Sequence, residues 1–189
     1  MTFSNFFRWM LAAAFTAQCF SASAQQLIPA QSEIVFVSKQ MGVPVEGRFQ
    51  KFSAQMTFNP SKPGQANIAF TVDMASATLG VKETDAELPK ADWFNTAKFA
   101  QATFQSTGVK ALGAGKFEVS GKLSIKGATQ NVVVPVSLTQ AGANTTALGT
   151  FTLKRLAFKI GDNEWSDTSM VADDVQVKFK FALTGVAKL

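Results

Sequence analysis

The chain has 189 residues, a formal net charge of +5, eighteen phenylalanines, a single cysteine (Cys19) and neither histidine nor tyrosine. Without histidine, Ser-His-Asp and Cys-His nucleophilic chemistry and His-based zinc sites are excluded, which leaves paired carboxylates or a lysine base for any catalysis. The lysines are dispersed rather than gathered into a stripe with interleaved aromatics, so nucleic acid is not an expected partner, whereas an acidic membrane surface suits a mildly basic chain.

The first residues have the pattern of a cleaved secretory leader. Arg8 lies in a short basic head, an apolar stretch runs from Trp9 to Phe20, and small residues end in Ala22-Ser23-Ala24. That stretch is about a dozen residues, well short of the roughly twenty that a spanning helix needs. The expected division is a leader over 1–24 and one exported domain over 25–189, with no thiol left after cleavage because Cys19 lies in the leader. A domain of that size buries enough surface to stand without disulfides.

From residue 25 onward, apolar residues recur at every second position, the period of a pleated strand with one buried face. The spacing predicts a first strand over 32–39, with Ile34 and Phe36 inward. The next segment has Val45 and Phe49 on odd positions but Phe52, Met56 and Phe58 on even ones, so a bulge or bend near Gln50-Lys51 is needed to keep one inward face. Ile68, Phe70, Val72 and Met74 mark a further strand. The alternation then breaks between Ala75 and Phe99. Here Glu83-Thr84-Asp85-Ala86-Glu87-Leu88 is helix-prone and stopped by Pro89, and Trp93, Phe94 and Phe99 follow, as in a flap over a barrel end. Strand spacing resumes at Ala102-x-Phe104-x-Ser106. Phe117 to Ile125 and Val132 to Leu138 read as a hairpin about Gly127-Ala128-Thr129, and Gly149 to Leu153 as another strand. Ile160 to Ala172 reads as a long loop. Val175 to Leu183 is the clearest strand, wet on Gln176, Lys178 and Lys180. Eight amphipathic strands predict an all-β fold, an antiparallel barrel with a short helical flap, whose closure removes exposed edges.

Such a barrel is either filled by its own side chains or encloses one ligand. Thirteen phenylalanines follow Ala24, so the interior offers aromatic walls almost free of hydroxyls, suited to a greasy ligand. The expected apolar wall is Phe36, Phe70, Met74, Trp93, Phe94, Phe104, Leu123, Val134, Phe151 and Phe179. Gly47, Gly121 and Gly149 fall on strand positions and mark either curvature or space left for a ligand. Asp162, Glu164 and Asp167 surround Trp165, with Asp173 and Asp174 close by. They lack the spacing of a calcium loop and read as a solvated acidic loop, and neither metal nor cofactor is expected. Arg48, Arg155 and Asp85 are the candidates for a polar rim. Arg155 is either a surface charge or a partner for the acidic loop or the polar end of a ligand.

Several segments in this order carry a resemblance. They are Ser32-x-Ile34-x-Phe36, Gly42, Val45-x-Gly47-x-Phe49-x-x-Phe52, Trp93-Phe94 with Phe99, Ala102-Thr103-Phe104, the run from Gly121 to Thr129, Phe151-x-Leu153-Lys154-Arg155-x-x-Phe158-x-Ile160-Gly161, and Val175-x-Val177-x-Phe179. Together they resemble the YceI family of bacterial periplasmic, lipocalin-like proteins that bind polyisoprenoid lipids. The resemblance implies a periplasmic carrier or store, not an enzyme, that holds a long isoprenoid lipid, quinone- or polyprenol-like, as ligand rather than cofactor. It allows transient contact with a membrane surface and a homodimer. The family commonly carries histidine near the positions of Gln40 and Glu87 and arginine near Thr84. This chain keeps Asp85 and Leu88 but none of those groups, so head-group contacts do not carry over. Three other readings compete: an outer-membrane barrel, disfavoured by the lack of tyrosine girdles; a hydrolase working through carboxylates; and a packed stress or interaction module without a ligand.

Overall fold

The computed structural model describes residues 25–189; the leader expected over 1–24, with Cys19 and the cleavage site, lies outside the described residues. The strands are β1 (Gln26–Leu27), β2 (Glu33–Gln40), β3 (Val43–Phe49), β4 (Phe52–Thr57), β5 (Asn67–Asp73), β6 (Ala77–Thr78), β7 (Gln101–Gly113), β8 (Lys116–Ile125), β9 (Ala128–Ala141), β10 (Asn144–Lys154) and β11 (Asp174–Thr184). All join one antiparallel sheet in the order β4-β5-β7-β8-β9-β10-β11-β2-β3-β6, with β1 beside β11.

The sheet curls until its ends meet in one piece of chain. β3, next to one edge, runs straight into β4, the other edge, through the bend at Gln50-Lys51. The bend switches the inward parity from odd to even, as the apolar spacing requires. Ser76, itself buried, satisfies the amides that the bend frees: Gln50 N donates to its carbonyl at 3.1 Å and Lys51 N to its hydroxyl at 3.0 Å. Counting β3 and β4 as one bent strand and setting aside the two-residue β1 and β6 leaves eight long strands around the barrel.

Three elements differ from the spacing argument. β7 is far longer than its Ala102 to Ser106 signature, because a register shift between Ser106 and Gly108 moves the inward parity from Phe104 to Val109. The break leaves an amide on β5 without a ladder partner, and Ile68 N donates to Ser106 Oγ at 2.9 Å instead. The β8–β9 turn is Lys126-Gly127, both at positive φ (48° and 76°), so β9 begins at Ala128 rather than after Thr129. This is the backbone of a type I′ turn, whose twist matches the strands it joins. The flap helix, expected over Glu83 to Leu88, is a single turn, Lys82–Asp85, followed by successive turns to Phe99.

Inside and outside alternate as the sequence demands. On β11, Val175, Val177 and Phe179 are half-buried, Phe181 and Leu183 are buried, and Gln176, Lys178 and Lys180 are exposed. The three strand glycines follow from cross-strand register. Gly47 faces Phe36 and Gly149 faces Phe179, while Gly121 lies diagonally beside Phe104. At each position a Cβ would collide with the phenylalanine ring that folds over the glycine. The glycines are therefore aromatic-covered bends rather than space left for a ligand. Gly149 is also the residue where β10 parts from β9, whose ladder ends at the Gly149–Val136 pair.

Candidate functional site

The barrel encloses a cavity of about 430 Å³, within the range of roughly 300–1,000 Å³ usual for small-molecule sites. Its lining is apolar except for Ser38, Gln40, Thr84, Glu87 and Arg155. This distribution, dry inside and charged outside, is the inverse of a channel-forming membrane barrel.

One end is shut by packing. β1 pairs Leu27 with Leu183, and the Gln25 side chain spans to Phe58, the residue after β4, accepting from Phe58 N at 2.8 Å and donating to Phe58 O. Gln140 Nε2 donates to Val186 O at 3.3 Å, drawing the C-terminal residues over the same end. Buried Phe58 and Phe117 meet edge to face at 5.2 Å, and Phe181 stacks against both Phe70 (4.5 Å) and Phe179 (4.6 Å). Offset and edge-to-face aromatic pairs of this kind stabilise by about 0.5–1.5 kcal/mol each beyond the area they bury.

The other end is covered by a lid made of residues 79–99 and 156–173. Leu88 and Phe94 drop their side chains into a second apolar cluster with Met74, Ile125, Leu153, Phe158 and Ile160. Trp93 from the first segment and Trp165 from the second meet over the cavity, 5.6 Å between ring centroids. The segments are joined by Gly161 N donating to Asp92 O at 2.7 Å.

Arg155 is 1 % exposed and is neither a surface charge nor an open rim group. Its guanidinium spends every N–H on backbone carbonyls. Nε donates to Ala172 O at 3.1 Å, Nη1 to Ile160 O at 2.9 Å and Gly161 O at 2.6 Å, and Nη2 to Trp165 O at 2.6 Å and Val171 O at 2.7 Å. Burial pulls its pKa below the ordinary arginine value, partly offset by the Asp173 carboxylate. It stays charged because five donated bonds replace its lost hydration. The sequence shows an arginine ahead of a carbonyl-rich loop but not its enclosure.

Lys126 is a second buried cation, 7 % exposed, that sequence reasoning missed. From the β8–β9 turn its Nζ donates to Asp92 O at 3.0 Å and to Lys159 O, and lies 3.3 Å from Asp162 Oδ1. A Lys-Gly hairpin turn carries no sequence sign of burial, since such turns ordinarily face water.

The ten residues expected to form the wall all line the cavity: Phe36, Phe70, Met74, Trp93, Phe94, Phe104, Leu123, Val134, Phe151 and Phe179. Phe49, Phe58, Phe117 and Phe181 line it too and were legible as inward-parity aromatics. The polar candidates fare differently. Arg48 is exposed on β3 and does not line the cavity. Asp85 also stays outside the lining. It folds the lid's first turn by accepting from Thr78 Oγ1 and Leu79 N, both at 2.6 Å.

The acidic loop is structural where its partners are visible. Asp162 faces Lys126, Asp167 accepts from Ser169 N and Oγ, Asp173 accepts from Leu156 N at 3.0 Å, and Asp174 pairs with Lys154 at 2.7 Å. The Ser169 bonds hold the Asp167 pKa below its ordinary value, and the Asp174 hydrogen bond and charge raise that of Lys154.

Comparison with known proteins agrees with this architecture. The profile of the YceI-like domain matches residues 26–183. A UPF0312 protein of Shewanella baltica is 32% identical over 140 residues, 69% of this chain and 73% of the relative. The crystal structure of Burkholderia cenocepacia BcnA superposes with a TM-score of 0.80 at 46% identity, covering 82% of this chain and 98% of that one. A polyisoprenoid binding domain from Saccharophagus degradans, implicated in plant cell wall breakdown, shares the fold at a TM-score of 0.69 and 17% identity, covering 85% and 98%. With a profile match across almost all the described residues and a barrel closed on an apolar cavity, this chain belongs to the YceI-like family.

Proposed function

We propose that this protein binds a long-chain polyisoprenoid lipid, quinone- or polyprenol-like, in the barrel interior and carries or stores it after export to the periplasm. The observation that carries the reading is the cavity itself: closed by aromatic packing at one end, covered by a lid at the other, and apolar over all but five of its lining residues. Burying a CH₂ is worth about 0.8 kcal/mol, so even a few isoprene units supply roughly 10 kcal/mol before ordering costs are subtracted. The structural likeness to a protein described as a polyisoprenoid binding domain supports the same ligand class. The leader pattern ending at Ala24 supports export, with Gln25 as first residue, and the basic net charge supports brief contact with an acidic membrane surface during loading.

The test is organic extraction of protein purified from its native host, with mass spectrometry of the extract. A prenyl lipid at near-stoichiometric yield is expected. Repeated preparations holding no prenyl lipid, or only fatty acids, contradict the proposal.

A further inference from the structure

The charges of the molecule are divided between its two regions. The lid segments, 79–99 and 156–173, hold eight carboxylates to four lysines. The outer wall has the opposite balance. Lys110, Lys116, Lys122, Lys178 and Lys180 are exposed on β7, β8 and β11, and among the described residues none of them forms an ion pair. The carboxylates opposite them in the ladders are Glu118, across from Lys110, and Glu33, across from Lys180.

Register gathers these lysines about exposed apolar side chains. Lys116 stands opposite Ser137, Ser137 opposite Leu148, and Leu148 opposite Lys180. At the usual strand separation this row is about 15 Å wide. Leu148 is exposed, and so is Leu112, just before the hairpin turn that leads into Lys116. Together with Lys178 they border a groove on the outside of the barrel. The groove reaches Gly149, the residue at which the β9–β10 ladder ends, and it shares Phe117, Val136 and Phe179 with the inner cavity. Exposed apolar side chains also rim the lid, at Val81, Trp165 and Met170, but their neighbours in the chain include Glu83, Glu164 and Asp167. An anionic surface therefore repels the lid and attracts the wall, whereas a second copy docked face to face sets lysine against lysine.

We propose that the outer face of β8–β11, centred on Leu148 between Lys116 and Lys180, is the surface that docks on an anionic phospholipid bilayer. The leucines enter the head-group boundary while the lysine stems lie along it and their ammonium groups meet lipid phosphates. The docked barrel presents to the lipid the place where β10 parts from β9, with the cavity behind it. The inference rests on the membrane contact proposed above and adds the face that makes it.

The experiment sediments purified protein with vesicles of equal parts phosphatidylglycerol and phosphatidylcholine, and with vesicles of phosphatidylcholine alone, at low and high salt. Binding to the anionic vesicles only, lost at high salt, is expected. Lys116→Gln/Lys178→Gln/Lys180→Gln should weaken it by about 100-fold, since each lysine at the surface contributes roughly fivefold, and Leu148→Ser should weaken it further. The lid variant Lys82→Gln/Lys98→Gln/Lys159→Gln removes the same charge and should stay within about threefold of the parent, because charges away from the contact are screened. All of these positions are exposed, so each variant should melt like the parent. An equal or larger loss in the lid variant, or equal binding to both vesicles, overturns the inference while leaving membrane contact in place. A parent that ignores vesicles but forms a dimer lost in Leu148→Ser gives the face to a second copy and also overturns it. A parent that neither binds vesicles nor dimerises overturns the membrane contact itself.

Discussion

The barrel wall and the lid solve the same problem, pairing backbone polar groups out of water, by different means. In the wall, ladders run for ten or eleven residue pairs, as between β8 and β9 or β10 and β11, and inward aromatics cover what the ladders leave open. In the lid, residues 79–99 and 156–173 form no ladder beyond single contacts, and two buried cations gather the carbonyls that secondary structure would otherwise pair. The difference teaches where order and mobility reside. A ladder is lost only by unzipping many bonds together, whereas a lid organised on one guanidinium and one ammonium depends on two side chains.

That contrast is broken most severely at Arg155. Arg155→Ala leaves five carbonyls without their donor, and a loss of roughly 3–5 kcal/mol is expected. In thermal melts this corresponds to a midpoint lower by about 10 °C. Arg155→Lys should recover only part of the loss, because an ammonium has three donors and no planar fork. A variant that melts like the parent would show that the lid is held by its apolar cluster instead.

On the wall side, the corresponding weak points are glycines. In Gly121→Ala the new Cβ meets both the Phe104 ring and Gln105 O at 2.7 Å, and since the latter is backbone, overpacking should cost about 1–3 kcal/mol. Gly64→Ala, with nothing within 4 Å, is the control and should be near neutral. Denaturant titration of the two distinguishes an aromatic-covered bend from a merely small residue.

Lys126→Met removes the ammonium and leaves the carbonyls of Asp92 and Lys159 short of a partner, at an expected cost of about 1–2 kcal/mol. Its sharper readout is hydrogen exchange. Amides of residues 79–99 should exchange faster while those of β8 and β9 keep their protection, and uniform acceleration across both would deny the lid its separate stability.

The smallest effect is set by pH. Because the Ser169 bonds depress the pKa of Asp167, its contribution is fully present above the ordinary carboxylate value of about 3.9 and is lost as pH falls through the lower folded value. Chemical shifts of Ser169 and Met170 should therefore move only in strong acid, and Asp167→Asn should abolish that step without changing the melt near neutrality.

The wall was readable from sequence because strand parity is a local property: Phe36, Phe104, Phe151 and Phe179 each sit on the apolar parity of their own strand. The bend at Gln50-Lys51 was visible for the same reason. The break at Ser106 to Gly108 was not, since beyond it Val109 and Ala111 keep one parity while exposed Leu112 takes the other, which is too little to show a parity switch. The pairing of each strand glycine with a phenylalanine depends on register between strands, which no single segment displays. The lid was least legible. Its order depends on which carbonyls curl around Arg155 and Lys126, and a sequence shows that a cation is present without showing what encloses it.

The central claim is that the barrel interior is a chamber for a lipid rather than a finished core, and native mass spectrometry of freshly purified protein beside its Val177→Phe variant tests it most directly. Val177 lines the cavity while remaining only partly buried, so a larger side chain there has space to enter. The account expects the parent to carry a prenyl lipid and the variant to fold without it. A parent that is ligand-free in every preparation, together with a variant that unfolds from overpacking, would contradict it.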